Sequence, residues 1–153
     1  MTRVEESIDL SVPVSTAYNQ WTQFEEFPRF MEHVEEVQQL DDTHLRWRVN
    51  VAGRVEQFDA EVTEQTPDSR IAWSSTEGRR NAGAVDFHPL PDGGCHIAVV
   101  MDAESDGAVE AAADATGRVA RQIRSDLERF KEMIEQRGEE TGAWRGTVDR
   151  QAS

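Results

Sequence analysis

Asp59 and Glu61, in the stretch Val55–Glu64 (VEQFDAEVTE), are the best-placed proton-transfer groups in the sequence. In an extended chain alternate residues share a face, which puts Gln57, Asp59 and Glu61 on one side and Phe58, Ala60 and Val62 on the other. If the polar side lines an enclosed space, desolvation raises the carboxyl pKa values and either group becomes a weak candidate general base. If it faces solvent, it can pair with Arg46, Arg48 and Asn50 of the preceding segment as an exposed ladder worth little in stability. The solvated arrangement is the favoured one.

Other chemistry is sparse. The histidines stand at 33, 44, 88 and 96, with no two at ligand spacing, so no metal site is expected. Cys95, the single cysteine, precedes His96 directly, and neighbouring strand residues point to opposite faces, which argues against a Cys–His dyad. No G-x-S-x-G, P-loop or G-x-G-x-x-G occurs, so covalent catalysis, nucleotide chemistry and a bound cofactor are not expected. What remains is a set of apolar side chains that could line a pocket for a hydrophobic ligand: Phe27, Phe30, Trp47, Trp73, Phe87, Met101, Val119 and Ile123. Each could equally belong to an ordinary core.

The elements that would carry these residues follow from periodicity. Thr2–Val12 alternates as a half-buried strand and stops at Pro13. Val14–Gln23 reads as a short helix with Ser15 as its cap, and Phe24–Met31 as a second short helical piece broken by Pro28. Period-two segments follow at about 33–40, 43–52, 55–65, 69–77, 82–90 and 94–103, separated by turn residues, of which Pro91-Asp92-Gly93-Gly94 is the clearest hairpin signal. Tight connections of this kind make an antiparallel meander. A long helix is expected over about 108–138, with Val109, Ala112, Ala113, Val119, Ile123, Leu127, Phe130 and Ile134 on one stripe. Its first half offers mainly small residues and its second half large ones, which would leave space at one end and seal the other. Residues 1–139 are read as one domain, and 140–153 as a loose polar tail with Trp144 as its one possible anchor.

Composition narrows the partners. Thirty acids against sixteen bases give a net charge of -14, a field that repels nucleic acid phosphates and anionic lipid surfaces. No apolar run approaches the roughly 18 residues a membrane span needs, so no membrane insertion is expected. One cysteine and a polar first segment point to the cytoplasm. Oligomeric state is not encoded in any feature of the sequence.

Several ordered motifs carry a family likeness: Val12-Pro13-Val14 leading to Ala17 and Trp21, Phe27-Pro28-Arg29-Phe30-Met31, and Val34 to Val37. They continue through Trp47 with Gly53, Thr66-Pro67, Arg70-Ile71-Ala72-Trp73 and Gly83 to Phe87, and end with Leu127, Arg129-Phe130-Lys131 and Glu135. In these the sequence resembles the START-like, helix-grip superfamily, in its polyketide cyclase/dehydrase branch, related to coenzyme Q-binding proteins. The resemblance implies an α+β fold: a curved antiparallel seven-stranded sheet around a long C-terminal helix, with two short helices after the first strand. It also implies a hydrophobic small molecule (lipid, quinone or polyketide-like) held between sheet and helix. A cyclase or dehydratase using a cavity carboxylate, and a protein-interaction module, are the alternatives. Where aromatase/cyclases of the superfamily carry an inward arginine, an ungapped comparison puts Glu61 here, with Val55 and Gln57 at aromatic positions.

Overall fold

The computed structural model describes residues 2–51, 53–78, 81–103, 112–146 and 148–149, with the side chains of Thr2, Val51, Ala103, 112–119 and 148–149 left out of the description. The chain order is β1 (Thr2–Leu10), α1 (Val14–Trp21), a 3-10 helix (Phe24–Arg29), β2 (Val34–Gln39), β3 (His44–Val51) and β4 (Arg54–Thr66). It continues with β5 (Arg70–Gly78), β6 (Asn81–Pro89), β7 (Cys95–Ala103), α2 (Ala112–Arg137) and β8 (Val148–Asp149).

The strands form one antiparallel sheet in the order β1-β7-β6-β5-β4-β3-β2, so all consecutive strands from β2 to β7 are neighbours and β1 closes onto β7. This is the expected meander, and with α2 it makes the helix-grip fold. Each strand buries one face, as period-two patterning requires. Val4, Leu10, Leu45, Val49, Phe58, Ala60, Val62, Ile71, Val85, Phe87, Ile97 and Val99 join Ile123, Leu127, Phe130 and Ile134 of α2 in one core. α2 lies lengthwise along β1. Arg124 pairs with Glu6, Lys131 bonds the Asp9 carbonyl, and Glu135 accepts the Ser11 N–H. The large residues of α2 therefore sit toward the Leu10 end of the sheet, and its N-terminal half points toward the Val4–Met101 end.

Several details depart from the sequence expectations. β1 ends at Leu10 rather than Val12. Pro13 occupies the cap position of α1, where its fixed φ suits a helix start and its missing N–H costs nothing, so Ser15 falls inside the first turn. The Phe24–Arg29 piece is a 3-10 helix, the tighter form that a Pro inside a short segment tolerates. The start expected for the long helix at 108 lies outside the described residues.

The segment after Gly138 does not run loose. Thr141 exchanges hydrogen bonds with Gln20, the Trp144 N–H donates to Thr22 Oγ1, and Arg145 meets both Asn19 and Asp68. β4 extends past the end of β3, whose pairing stops at Glu61, and β8 takes up the vacated edge opposite Glu64 and Gln65. Polar groups here bond Asn19, Gln20 and Thr22 at the C-terminal end of α1 rather than solvent, a pairing that composition does not reveal.

Candidate functional site

The face of the sheet that meets α2 carries every apolar residue singled out from the strands. Its rows follow from the register. Val4, Met101, Gly83, Trp73 and Val62 stand side by side across five strands. Beside Trp73, Gly83 provides the room: a Cβ there would lie 3.0 Å from Trp73 Cζ2, so the indole crosses β6 only because that position has no side chain. Trp73 Nε1 donates to Asn81 Oδ1 at 2.7 Å, and Asn81 Nδ2 reaches Met101 Sδ at 3.7 Å. Trp73, Asn81 and Met101 are all half-buried.

The candidate ligand residues divide into two groups. Phe27, Phe30 and Phe87 are buried at 3%, 1% and 2% exposure, packed into a closed aromatic cluster. Trp21 touches all three rings at 5.6, 5.8 and 6.4 Å between centroids, and Phe130 of α2 lies 5.0 Å from Phe30 and 4.9 Å from Trp21. Such edge-to-face packing leaves these phenylalanines as core. Trp47, Trp73 and Met101 are half-buried and lie at the edge of that core. Trp47 bridges the two groups: it stacks on Phe58 at 5.7 Å and 7° between planes, and tilts against Phe27 at 5.5 Å. Its Nε1 is buried without a hydrogen-bond partner among the described residues. Ile123 of α2 is buried, and the Val119 side chain lies outside the described residues.

Asp59 and Glu61 are not with them. Phe58, Ala60 and Val62 take the core side of β4, which turns Asp59 and Glu61 to the opposite, convex face. Asp59 accepts two hydrogen bonds from Arg46 at 3.0 and 3.2 Å, and that guanidinium holds its carboxyl below the usual range. Glu61 is 46% exposed, 3.7 Å from His44. The polar stripe is the surface ladder, and neither carboxylate reaches the face that α2 covers. The ungapped match of an inward arginine to Glu61 fails for the same reason: Glu61 does not point inward.

Two polar groupings lay hidden from sequence spacing. His88 and His96 are direct cross-strand partners across the β6–β7 hairpin, with ring centroids 6.4 Å apart and Asp9 beside His96 on the next strand. Among the described residues no three His, Cys, Asp or Glu side chains are grouped to hold a metal ion. The second grouping ties α2 to the segment entering β2. Asp126, 6% exposed, accepts from Gln122 and Arg129 and lies 3.9 Å from His33, while Arg129 Nε donates to the Phe30 carbonyl. Burial raises the Asp126 carboxyl pKa and lowers that of His33.

An open groove of about 480 Å³ lies between the 3-10 helix and the C-terminal end of α2, lined by Arg29, Met133, Gln136 and Arg137. None of these was singled out for a ligand, and the groove is separate from the Trp73 row.

A sheet curled around one long helix, with half-buried aromatics at the end where that helix carries small residues, defines a START-like helix-grip protein. The chain belongs to the family described as "Polyketide cyclase / dehydrase and lipid transport", whose pattern it matches over residues 10–132. It is 52% identical over 149 residues to an uncharacterized 17.2 kDa protein in the melC2-rnhH intergenic region of Streptomyces lincolnensis, covering 97% of this chain and 99% of that one. Among solved structures it resembles DR_A0006 from Deinococcus radiodurans, with 29% identity and a TM-score of 0.71 over 88% of this chain and 98% of the other. A START superfamily protein from Mycobacterium smegmatis shares the fold at a TM-score of 0.75 and 16% identity, over 88% of this chain and 99% of that one.

Proposed function

We propose that the chain binds a hydrophobic small molecule, a lipid, quinone or polyketide-like ring system, between the sheet and the N-terminal half of α2. The observation that carries this reading is the split among the aromatics. Phe27, Phe30 and Phe87 are closed into core, while Trp47, Trp73 and Met101 stay half-buried toward the end of the sheet to which the N-terminal half of α2 points, a half whose sequence begins AADATG (112–117). Large apolar side chains left partly open on an inner face, with a few fixed polar groups among them, are the usual lining of a ligand site. The family description, which names lipid transport beside cyclase and dehydrase activity, fits the same chemistry. Binding rather than catalysis is favoured because Asp59 and Glu61, the carboxylates that a cyclase reading would use, lie on the convex face.

The test is native mass spectrometry of protein purified from its own host, followed by denaturation and identification of any released molecule. Stoichiometric apolar passengers support the reading. It is overturned if the protein is empty and calorimetry detects no saturable binding of palmitate, menadione or fluorenone.

A further inference from the structure

We infer, on the reading that the Trp73 face holds the ligand, that Asn81 is its specificity-determining residue and donates a hydrogen bond to a carbonyl-type oxygen of that ligand. The orientation of this amide is set by chemistry. Trp73 Nε1 can only donate, so the atom it meets at 2.7 Å must be the Asn81 oxygen, and the NH2 group points the other way. That group has two N–H donors. One reaches Met101 Sδ at 3.7 Å, a weak acceptor, and the other has no acceptor among the described residues.

A second donor stands beside it. The Asn81 backbone N–H donates to Ser75 Oγ at 3.0 Å, which uses the hydroxyl as acceptor and leaves its proton without an acceptor among the described residues. Asn81 and Ser75 share the core-facing side of their strands with Trp73 and Val85, so both donors belong to the proposed ligand face. The indole fixes the amide from one side, and Gly83 gives the indole its place.

A pure hydrocarbon laid over this face would cover amide and hydroxyl donors without satisfying them, while an aromatic ketone or quinone would supply the missing acceptor. The ligand class is therefore an apolar ring system bearing a carbonyl oxygen, rather than a hydrocarbon chain or an unsubstituted ring.

Fluorenone and fluorene share one tricyclic skeleton and differ in the carbonyl. Calorimetric titration of the full chain is expected to show fluorenone binding about tenfold or more tighter than fluorene, the ratio that one satisfied buried donor commands. Asn81→Asp keeps the oxygen that Trp73 needs but has no amide donor, and is expected to lose that preference while still binding fluorene. Asn81→Leu should do the same, and thermal melts of both variants report whether they remain folded. Equal binding of both probes by the wild type, or an undiminished preference in a folded Asn81→Asp, overturns the assignment of Asn81 and leaves the ligand-binding reading standing. Failure of both probes to bind the wild type overturns the two together.

Discussion

The indole of Trp73 lies over Gly83, occupying the space that any side chain at position 83 would enter. A Cβ there would stand 3.0 Å from Trp73 Cζ2 and closer still to the Val100 carbonyl oxygen, which is backbone and cannot move aside. Gly83→Ala therefore overpacks the sheet, at a cost of about 1–3 kcal/mol. Urea denaturation gives the stability, and tryptophan emission reports the displaced ring. A variant as stable as the wild type with unchanged emission would remove Gly83 from the account of the site.

The Asp59–Arg46 pair predicts the opposite kind of result. It is bidentate and holds the Asp59 carboxyl below its usual range, but it stands in solvent on the convex face. Exposed pairs are worth roughly 0–1 kcal/mol. Asp59→Asn should change stability by no more than that and leave probe binding untouched. A large loss of binding would restore the carboxylate to the ligand site.

The fold was legible because strand faces repeat every two residues and helix faces every three or four. β3 alternates Leu45, Trp47, Val49 against Arg46, Arg48, Asn50, and α2 spaces Ile123, Leu127, Phe130 and Ile134. The site was only half legible. Hydrophobicity marks Phe30 and Trp73 alike, and only packing separates them, because Trp21 and Phe130 enclose Phe30 whereas Trp73 stays half-buried over Gly83. The Asn81–Trp73 hydrogen bond was not legible because its two partners lie eight residues apart on neighbouring strands. The tail was missed because Thr141 and Arg145 read as solvated polar residues until α1 presents Gln20 and Asn19 to them.

That tail should matter for stability. Ending the chain at Gly138 removes the Arg145–Asp68 ion pair at 2.8 Å, the guanidinium over the Tyr18 ring at 5.6 Å, the Thr141–Gln20 bonds and the β8 pairing. The loss should be on the order of 2 kcal/mol, since several modest bonds go together. Denaturant midpoints of the two chain lengths measure it, and coincident curves would show that the strap adds nothing.

Cys95 gives a chemical check on the core. Its thiol is fully buried and burial, with Asp9 nearby, pushes its pKa up to about 11. Thiolate is the reactive form, so the native protein should react with a disulfide reagent at neutral pH orders of magnitude more slowly than the urea-unfolded chain. Comparable rates would mean that β7 opens readily.

The junction of α2 with the entry to β2 should give the protein part of its acid sensitivity. His33 faces Asp126 at 3.9 Å, with Arg129 and Glu32 as the other charges around it, and burial sets its pKa below 6.5. The folded state then favours the neutral ring. Its contribution to stability is complete above pH 6.5 and is lost as pH falls through the depressed folded value, because the unfolded chain takes up the proton more readily. Asp126 works in the other direction. Its raised pKa makes burial most favourable below 3.8, a benefit that fades as pH rises through the folded value. The lowered His33 pKa costs the wild type stability as pH falls below 6.5, so His33→Gln should lose less stability between pH 7 and pH 5 than the wild type. The other three histidines are common to both proteins, and the difference between the two urea-midpoint profiles isolates His33. Parallel profiles would assign the acid limb to the carboxylates instead.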